Sequence, residues 1–381
     1  MSVTSVGRTD RAAVLCGVGG WLPRRQVGND ELAARLDTDD SWIRTRTGIR
    51  SRHLAAPDEA TSDLAVAAGR RALTDSGTRH ADAVVVATTT PDRTCPATAP
   101  AVAARLGLSG AAAFDVGAVC TGFVYALAAG GGLIASGAAD RVLVIGADVY
   151  SRIVDPADRQ NAVVFGDGAG AVVLRAGHAD EPGALGPFDL GSDGDHEDLI
   201  TVAAGGSRVR ADPDRTSRAE RHFAMRGKEV YRHALHRMTD SARTVLERSG
   251  LAVDGVDRFV PHQANLRILR TVATDLGLPA DRCATHVETA GNTGAASIPL
   301  ALADDHAHRV LRPGDRVLLT AFGGGLTWGS CLLTWPDLPP TAEPAHREEE
   351  PVHREAEPAH REEEPVHREA EPAHREEEPA P

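Results

Sequence analysis

The stretch DVGAVCTGFVYAL, Asp115 to Leu127, sets one cysteine between small residues where an apolar run gives way to a helical pattern. AAFDVGAV reads as a strand and TGFVYALAAGGGLIASG as a helix, so Cys120 falls at or near a helix N-terminus. Unpaired N–H groups and the helix dipole favour a thiolate there, and the thiolate is the nucleophilic form. Backbone N–H groups at such a strand–nucleophile–helix turn also make an oxyanion hole. A thiol nucleophile needs partners. VPHQANLRI (260–268) puts His262 just after a strand that ends in Pro261, and ETAGNTGAAS (288–297) puts Asn292 between Gly291 and Thr293 in a tight turn. Polar loops at strand ends are where catalytic residues gather. Each residue also has a plainer reading: Cys120 as a small core residue, His262 as a helix cap, Asn292 as a turn former. Together on three strand-end loops they carry more weight than singly.

The elements that must position them alternate between strand and helix. AAVLCGVGGWLP is a strand and turn, NDELAARL opens a helix with an Asn/Asp cap, and DAVVVATTT is a strand apolar on both faces. AAAFDV and RVLVIGAD are further strands, the second after a glycine-rich helix whose Gly130 to Gly132 read as sites of close helix packing. This is a layered α/β pattern. The second half echoes the first. DSGTRHADAVVVATTTPD resembles RSGLAVDGVDRFVPHQAN, and FGDGAGAVVL (165–174) resembles FGGGLTWGSCLL (322–333), in the same order. An internal duplication follows, with residues 1–175 carrying the cysteine, residues 176–336 carrying the histidine and asparagine, and a site at their junction. The glycine clusters GVGGWLP and GDGAG lack the G-x-G-x-x-G spacing of a dinucleotide site.

Composition narrows the function classes. Of the 381 residues 42% are apolar, enough for a large core, but only 4% are aromatic. Residues 343–381 hold 14 Glu and 5 Arg, so much of the net charge of −13 sits in that tail. The body is then only mildly acidic, which argues against a nucleic-acid partner. None of the five cysteines forms a C-x-x-C pair, which makes zinc and redox-motif readings weak, and their odd number fits a reducing cytoplasm. The N-terminus lacks a signal-peptide pattern and no apolar run is long enough for a membrane span, so a cytoplasmic protein is expected. From 337 onward a linker leads into EPAHREEEPVHREA, repeated at 343–356 and 357–370. Histidine and proline both recur there every seven residues with almost no apolar seam, so the tail reads as disordered and solvated, with weak metal binding as the other reading.

The three chemical segments resemble the active-site segments of β-ketoacyl-acyl-carrier-protein synthase III, a thiolase-fold condensing enzyme family. The likeness covers nearly all of 10–335 and includes DSWIRTRTGIRSRHLAAPDE (40–59), DPADRQNAVVFGDGAGAVVL (155–174), MRGKEVY (225–231) and AFGGGLTWGS (321–330). It implies a duplicated thiolase-like α/β fold of two βαβαβ-type halves in an α/β/α/β/α arrangement, in a homodimer. It implies that Cys120 takes an acyl group from acyl-CoA as a thioester. His262 and Asn292 then stabilise the enolate formed as malonyl-acyl-carrier protein loses CO₂, and that carbanion attacks the acyl-Cys120. No metal or redox cofactor is implied. Trp42 would stack on the adenine of CoA with Arg46 and Arg159 beside it, and Gln263, Ala264, Asn265, Leu266 and Arg267 would meet the carrier protein. Thr89 and Cys95 would line the acyl pocket. Cys95 stands where some members carry a large aromatic, which implies a roomier pocket for branched or longer primers. Gly294 stands where Ser is familiar, and Leu326 where Phe is. The same resemblance leaves room for a relative that primes polyketides or transfers acyl groups without condensation. A non-catalytic carrier-protein scaffold is the remote alternative, since all three site residues are present.

Overall fold

A computed structural model describes residues 11–210, 212 and 214–339, so the repeat tail and its expected disorder lie outside the described residues. Runs of Val, Ala and Ile become strands with both faces covered. Ala83–Ala87 (AVVVA) is buried at every position and lies inside a five-stranded sheet. It runs parallel to Ala112–Val116 on one side and to Arg141–Val149 on the other. Arg141–Val149 pairs antiparallel with Asp167–His178, which pairs antiparallel with Arg11–Trp21.

A four-stranded sheet repeats this pairing. Arg258–Pro261 runs parallel to Arg316–Gly323, which pairs antiparallel with Thr327–Thr334, which in turn pairs antiparallel with Leu185–Ser192. The fifth strand of the first sheet has a remnant here, a parallel bridge between Phe259 and Cys283. The two segments that looked alike in sequence thus carry the same pairing sense, as a duplicated thiolase-like fold requires.

The layers follow from which helices bury most of their surface. Gly122–Ala135 and Ser297–Ala307 lie between the sheets, and one core cluster joins Phe123, Leu127, Ile298 and Leu302 to Val144 and Val172 of the first sheet and Leu319 and Leu333 of the second. The first is apolar along its length and the second over 298–303, as a helix packed between two layers requires. The helix Thr61–Asp75 covers the outer face of the first sheet. Gly227–Ser249 and Leu266–Leu276 cover the outer face of the second. The order is α/β/α/β/α.

Two local expectations need correction. The NDELAARL helix is capped by Gly28, and the Asn29 side chain makes no cap bond. It is buried instead, donating to Asp40 and to the Ile49 carbonyl at 2.8 Å and accepting from Arg52 at 2.8 Å. Among Gly130 to Gly132, only Gly130 is closely packed: a Cβ there would meet Val144 at 3.1 Å, whereas one at Gly132 would meet nothing within 4 Å. Among the described residues no helix is long and apolar enough to cross a membrane.

Candidate active site

Cys120 sits in a single 3₁₀ turn, Val119–Thr121, that feeds directly into the central helix Gly122–Ala135. Val119 before it has φ +48. A β-branched residue in the left-handed region is strained by about 1–3 kcal/mol, and such strain persists where the surroundings demand it. Here it presents the next side chain at the mouth of the helix. The thiol is 8% exposed. Burial, and next the Asp148 carboxylate, push its pKa up to about 12. The expected resting thiolate is therefore corrected: burial favours the neutral thiol at this seat.

His262 directly follows strand Arg258–Pro261, and its N–H continues the ladder to Thr320 O at 2.7 Å. Its ring is anchored from behind. Nδ1 lies 2.7 Å from Ser297 Oγ, which also accepts the Gln263 N–H at 3.3 Å. In the tautomer that carries the ring proton on Nε2, the Ser297 hydroxyl donates to Nδ1 and the ring keeps a donor for the cavity; that tautomer is assigned to His262. Burial pushes the His262 pKa down to about 3, so the imidazole is neutral at physiological pH. An unfolded chain protonates this histidine near its ordinary 6.5. The unfolded state therefore binds an extra proton below that pH, and this group's contribution to stability is present above 6.5 and lost as pH falls toward 3. The His262 NMR signals are expected not to titrate between about pH 5 and pH 8, the window in which an ordinary histidine changes charge. A midpoint near 6.5 would contradict the buried neutral donor.

Asn292 comes from a turn that the first half of the chain holds in place. Phe165 and Asn292 form a parallel bridge, with Asn292 N–H to Val164 O and Gly166 N–H to Asn292 O, both 2.9 Å. Its Oδ1 accepts the Gly294 N–H at 3.0 Å, which leaves the Nδ2 donors for the cavity. Asp148 locks the same turn. Its buried carboxylate accepts Ala295 N–H at 2.8 Å and Thr89 N–H at 2.7 Å, while burial pushes its pKa up to about 7.

Cys120, His262 and Asn292 line one cavity of about 140 Å³, with Phe165, Phe223 and Phe322 in its wall. Met225, Gly227, Tyr231 and Asn265 line both this cavity and an outer cleft of about 790 Å³. Trp42, Arg46, Arg159, Arg226, Lys228 and Arg267 border that cleft. The Arg46 and Arg159 guanidinium groups sit 5.6 and 5.0 Å from the centre of the half-buried Trp42 ring. A nucleophile in a mostly apolar cavity thus opens onto a cationic, aromatic-lined cleft, an arrangement that suits an anionic carrier with a thioester at its end.

Several expected contacts are not brought together. Gln263 is buried, its amide bonded to Pro261 O, Ala284 O and Val287 N, so it cannot meet a partner surface. Leu266 is also buried, Asn265 caps the helix Leu266–Leu276 through Ile268 N, and Ala264 is half-buried in the inner cavity wall. Of that group only Arg267 is exposed. Cys95 is exposed, and neither it nor Thr89 lines the cavity around Cys120. Within the chain, Cys95 therefore gives no roomier pocket. Gly323, Ser297, Asp148 and Tyr150 are the site residues that sequence reasoning missed. Gly323 had a signal in the repeated Phe-Gly turn; the other three had none. All five cysteines are unpaired, and among the described residues no cluster of three His, Cys, Asp or Glu side chains could hold a metal ion.

Comparison with known proteins agrees with this geometry. The family model described as 3-oxoacyl-[acyl-carrier-protein (ACP)] synthase III matches residues 114–194, and that for its C-terminal part matches 246–335. The chain is 58% identical over 332 residues to a β-ketoacyl-[acyl-carrier-protein] synthase III of Streptomyces coelicolor, covering 87% of this chain and 99% of the relative. Among solved structures, the 3-oxoacyl-(acyl carrier protein) synthase III of Pseudomonas aeruginosa is 52% identical with a TM-score of 0.81, covering 86% of this chain and all of that one. The priming β-ketosynthase of the R1128 polyketide pathway is 38% identical with a TM-score of 0.81, covering 89% of this chain and all of that one.

Proposed function

The chain belongs to the β-ketoacyl-[acyl-carrier-protein] synthase III family of condensing acyltransferases, which initiate fatty acid synthesis, and on that premise we propose how its own residues perform the reaction. An acyl-CoA lies in the outer cleft with its adenine on Trp42 and its phosphates near Arg46, Arg159 and Lys228. The thioester reaches Cys120. Sγ bonds to the acyl carbon, the carbon–sulfur bond to CoA breaks, and the thiol proton ends on the CoA sulfur. Malonyl-acyl-carrier protein then replaces CoA, with the exposed Arg267 as an anchor. As CO₂ leaves, the electron pair of the broken bond moves into an enolate whose oxygen takes hydrogen bonds from His262 Nε2 and Asn292 Nδ2. The enolate carbon attacks acyl-Cys120 and expels the thiolate, giving a 3-ketoacyl-carrier protein. No step calls for a metal or a redox cofactor. The observation that carries this reading is the shared cavity of Cys120, His262 and Asn292 behind a cationic cleft.

The test of the cleft assignment is Trp42→Ala. Loss of a stacked indole is expected to raise KM for acyl-CoA about 5- to 30-fold, the equivalent of ~1–2 kcal/mol. The second half-reaction, started from pre-formed acyl-enzyme, is expected to be unchanged. An unaltered KM would remove Trp42 from the CoA site.

Gly323 leaves open the approach to the Cys120 amide. A Cβ there would lie 2.8 Å from Cys120 N and 3.1 Å from Thr121 N. Gly323→Ala is expected to lower kcat by about 10²–10³-fold, the usual cost of losing one oxyanion donor. Steady-state condensation assays with a melting curve beside them separate this from unfolding; full activity would place the acyl oxygen elsewhere.

The homodimer is supported by an unpaired sheet edge. Among the described residues, strand Ala112–Val116 pairs on one side only, and its residues are half-buried or exposed. Such an edge is a template for pairing with a second copy.

A further inference from the structure

Tyr150 stands just past the strand Arg141–Val149 and has no exposed surface. Its hydroxyl comes to 3.9 Å from Cys120 Sγ. Its ring stacks on Phe165, with centroids 4.4 Å apart and 9° between planes, and meets Phe223 edge-on at 5.6 Å. Both partners line the cavity that holds the thiol, but Tyr150 itself is set behind that wall. The Asn292 turn closes on the ring as well. Gly294 has φ +58, and a Cβ on it would lie 2.4 Å from Tyr150 Cε2 and 2.3 Å from Asp148 Oδ2. The departure from Ser at this position therefore has a physical partner: the room that a side chain at 294 would need is taken by Tyr150 and Asp148.

We propose that Tyr150, seated by Gly294, is a specificity-determining residue that limits the acyl group carried on Cys120 to short chains. The inference rests on the reading of Cys120 as the acyl acceptor. Non-bonded carbon contacts need about 3.5–4.0 Å each, so no methylene fits between a sulfur and a hydroxyl that are themselves 3.9 Å apart. An acyl chain on Sγ cannot run toward Tyr150 unless the ring moves. Ring movement is opposed by Phe165, Phe223 and the glycine turn, and close-packed interiors resist such shifts. The space left is the cavity of about 140 Å³, which the thioester arm must share. The barrier is the side chain as a whole, with the hydroxyl nearest the sulfur and the packed ring holding it there.

The experiment measures acyl loading by intact-protein mass spectrometry with acetyl- and octanoyl-CoA. It uses the full-length wild type and the variants Tyr150→Phe, Tyr150→Leu and Tyr150→Ala. The wild type is expected to load acetyl at least about 100-fold faster than octanoyl, within the range that steric pockets achieve. Tyr150→Phe is expected to keep that ratio, and Tyr150→Leu and Tyr150→Ala to reduce it at least tenfold. If the smaller variants fold poorly, Tyr150→Met keeps more of the buried volume in a flexible side chain and is expected to give the relaxed ratio in a stable protein. A wild type that loads octanoyl as fast as acetyl would overturn the proposal and leave Cys120 as the nucleophile. So would an unchanged ratio in Tyr150→Leu and Tyr150→Ala. A ratio that collapses in Tyr150→Phe would overturn the steric form of the claim. Absence of any adduct on the wild type would instead refute the reading of Cys120, and the inference with it.

Discussion

Cys120→Ala is expected to abolish condensation, lowering its rate by at least about 10³-fold, because loss of a covalent nucleophile removes the intermediate itself. None of the other cavity-lining residues is a thiol, and the two assigned donors, His262 and Asn292, are held by other contacts. Those contacts do not involve the sulfur. Ser297 orients the imidazole, and the Phe165 bridge, Gly294 and Asp148 fix the asparagine turn. Cys120→Ala should therefore still decarboxylate malonyl-carrier protein, releasing CO₂ without ketoacyl product. Separate assays for CO₂ and for the ketoacyl thioester check this. A variant that still condenses would contradict the covalent route, and one that loses both activities would show that the thiol also organises the donors.

The second large effect is the mirror image. His262→Ala is expected to slow condensation by about 10²–10³-fold, the usual cost of one missing donor to a developing oxyanion, while acyl loading on Cys120 persists. Asn292→Ala is expected to do the same. The two donors serve one oxygen, so the double variant should lose less than the product of the single effects. Removing the imidazole also leaves the buried Ser297 hydroxyl without its 2.7 Å partner. That costs about 1–3 kcal/mol of stability, so melting curves belong beside the kinetics. Loss of loading in His262→Ala would make His262 a base for the thiol and refute its assignment as a neutral donor.

What was legible in the sequence was what is local. Cys120 stood out because an apolar run and a helical pattern meet within a dozen residues, and the turn Val119–Thr121 is where they meet. His262 and Asn292 stood out as polar residues at the ends of apolar segments. The duplication was legible because both copies kept the same order of glycine turn and strand. Residues that act across the fold were not legible. Asp148 reads as an ordinary strand-end aspartate, yet it holds Ala295, 147 positions away. Tyr150 is a lone aromatic until Phe165, Phe223 and Gly294 are brought around it. Gln263 misled in the opposite direction. Beside a catalytic histidine in a polar loop it looks exposed, but its amide is consumed by three backbone groups inside the protein. The state of the thiol also lay beyond sequence reasoning, since a helix N-terminus is visible as a pattern but the depth at which Cys120 is buried is not.

The claim that Cys120 carries the acyl group is tested most directly by the intact mass of the protein after mixing with acetyl-CoA, with Cys120→Ala beside it. The structure predicts one acetyl adduct on the wild type, none at this position on the variant, and disappearance of the adduct when malonyl-carrier protein is added, as ketoacyl product forms. A wild type that makes ketoacyl product without an adduct on Cys120, or a variant that acquires the same adduct, would contradict it.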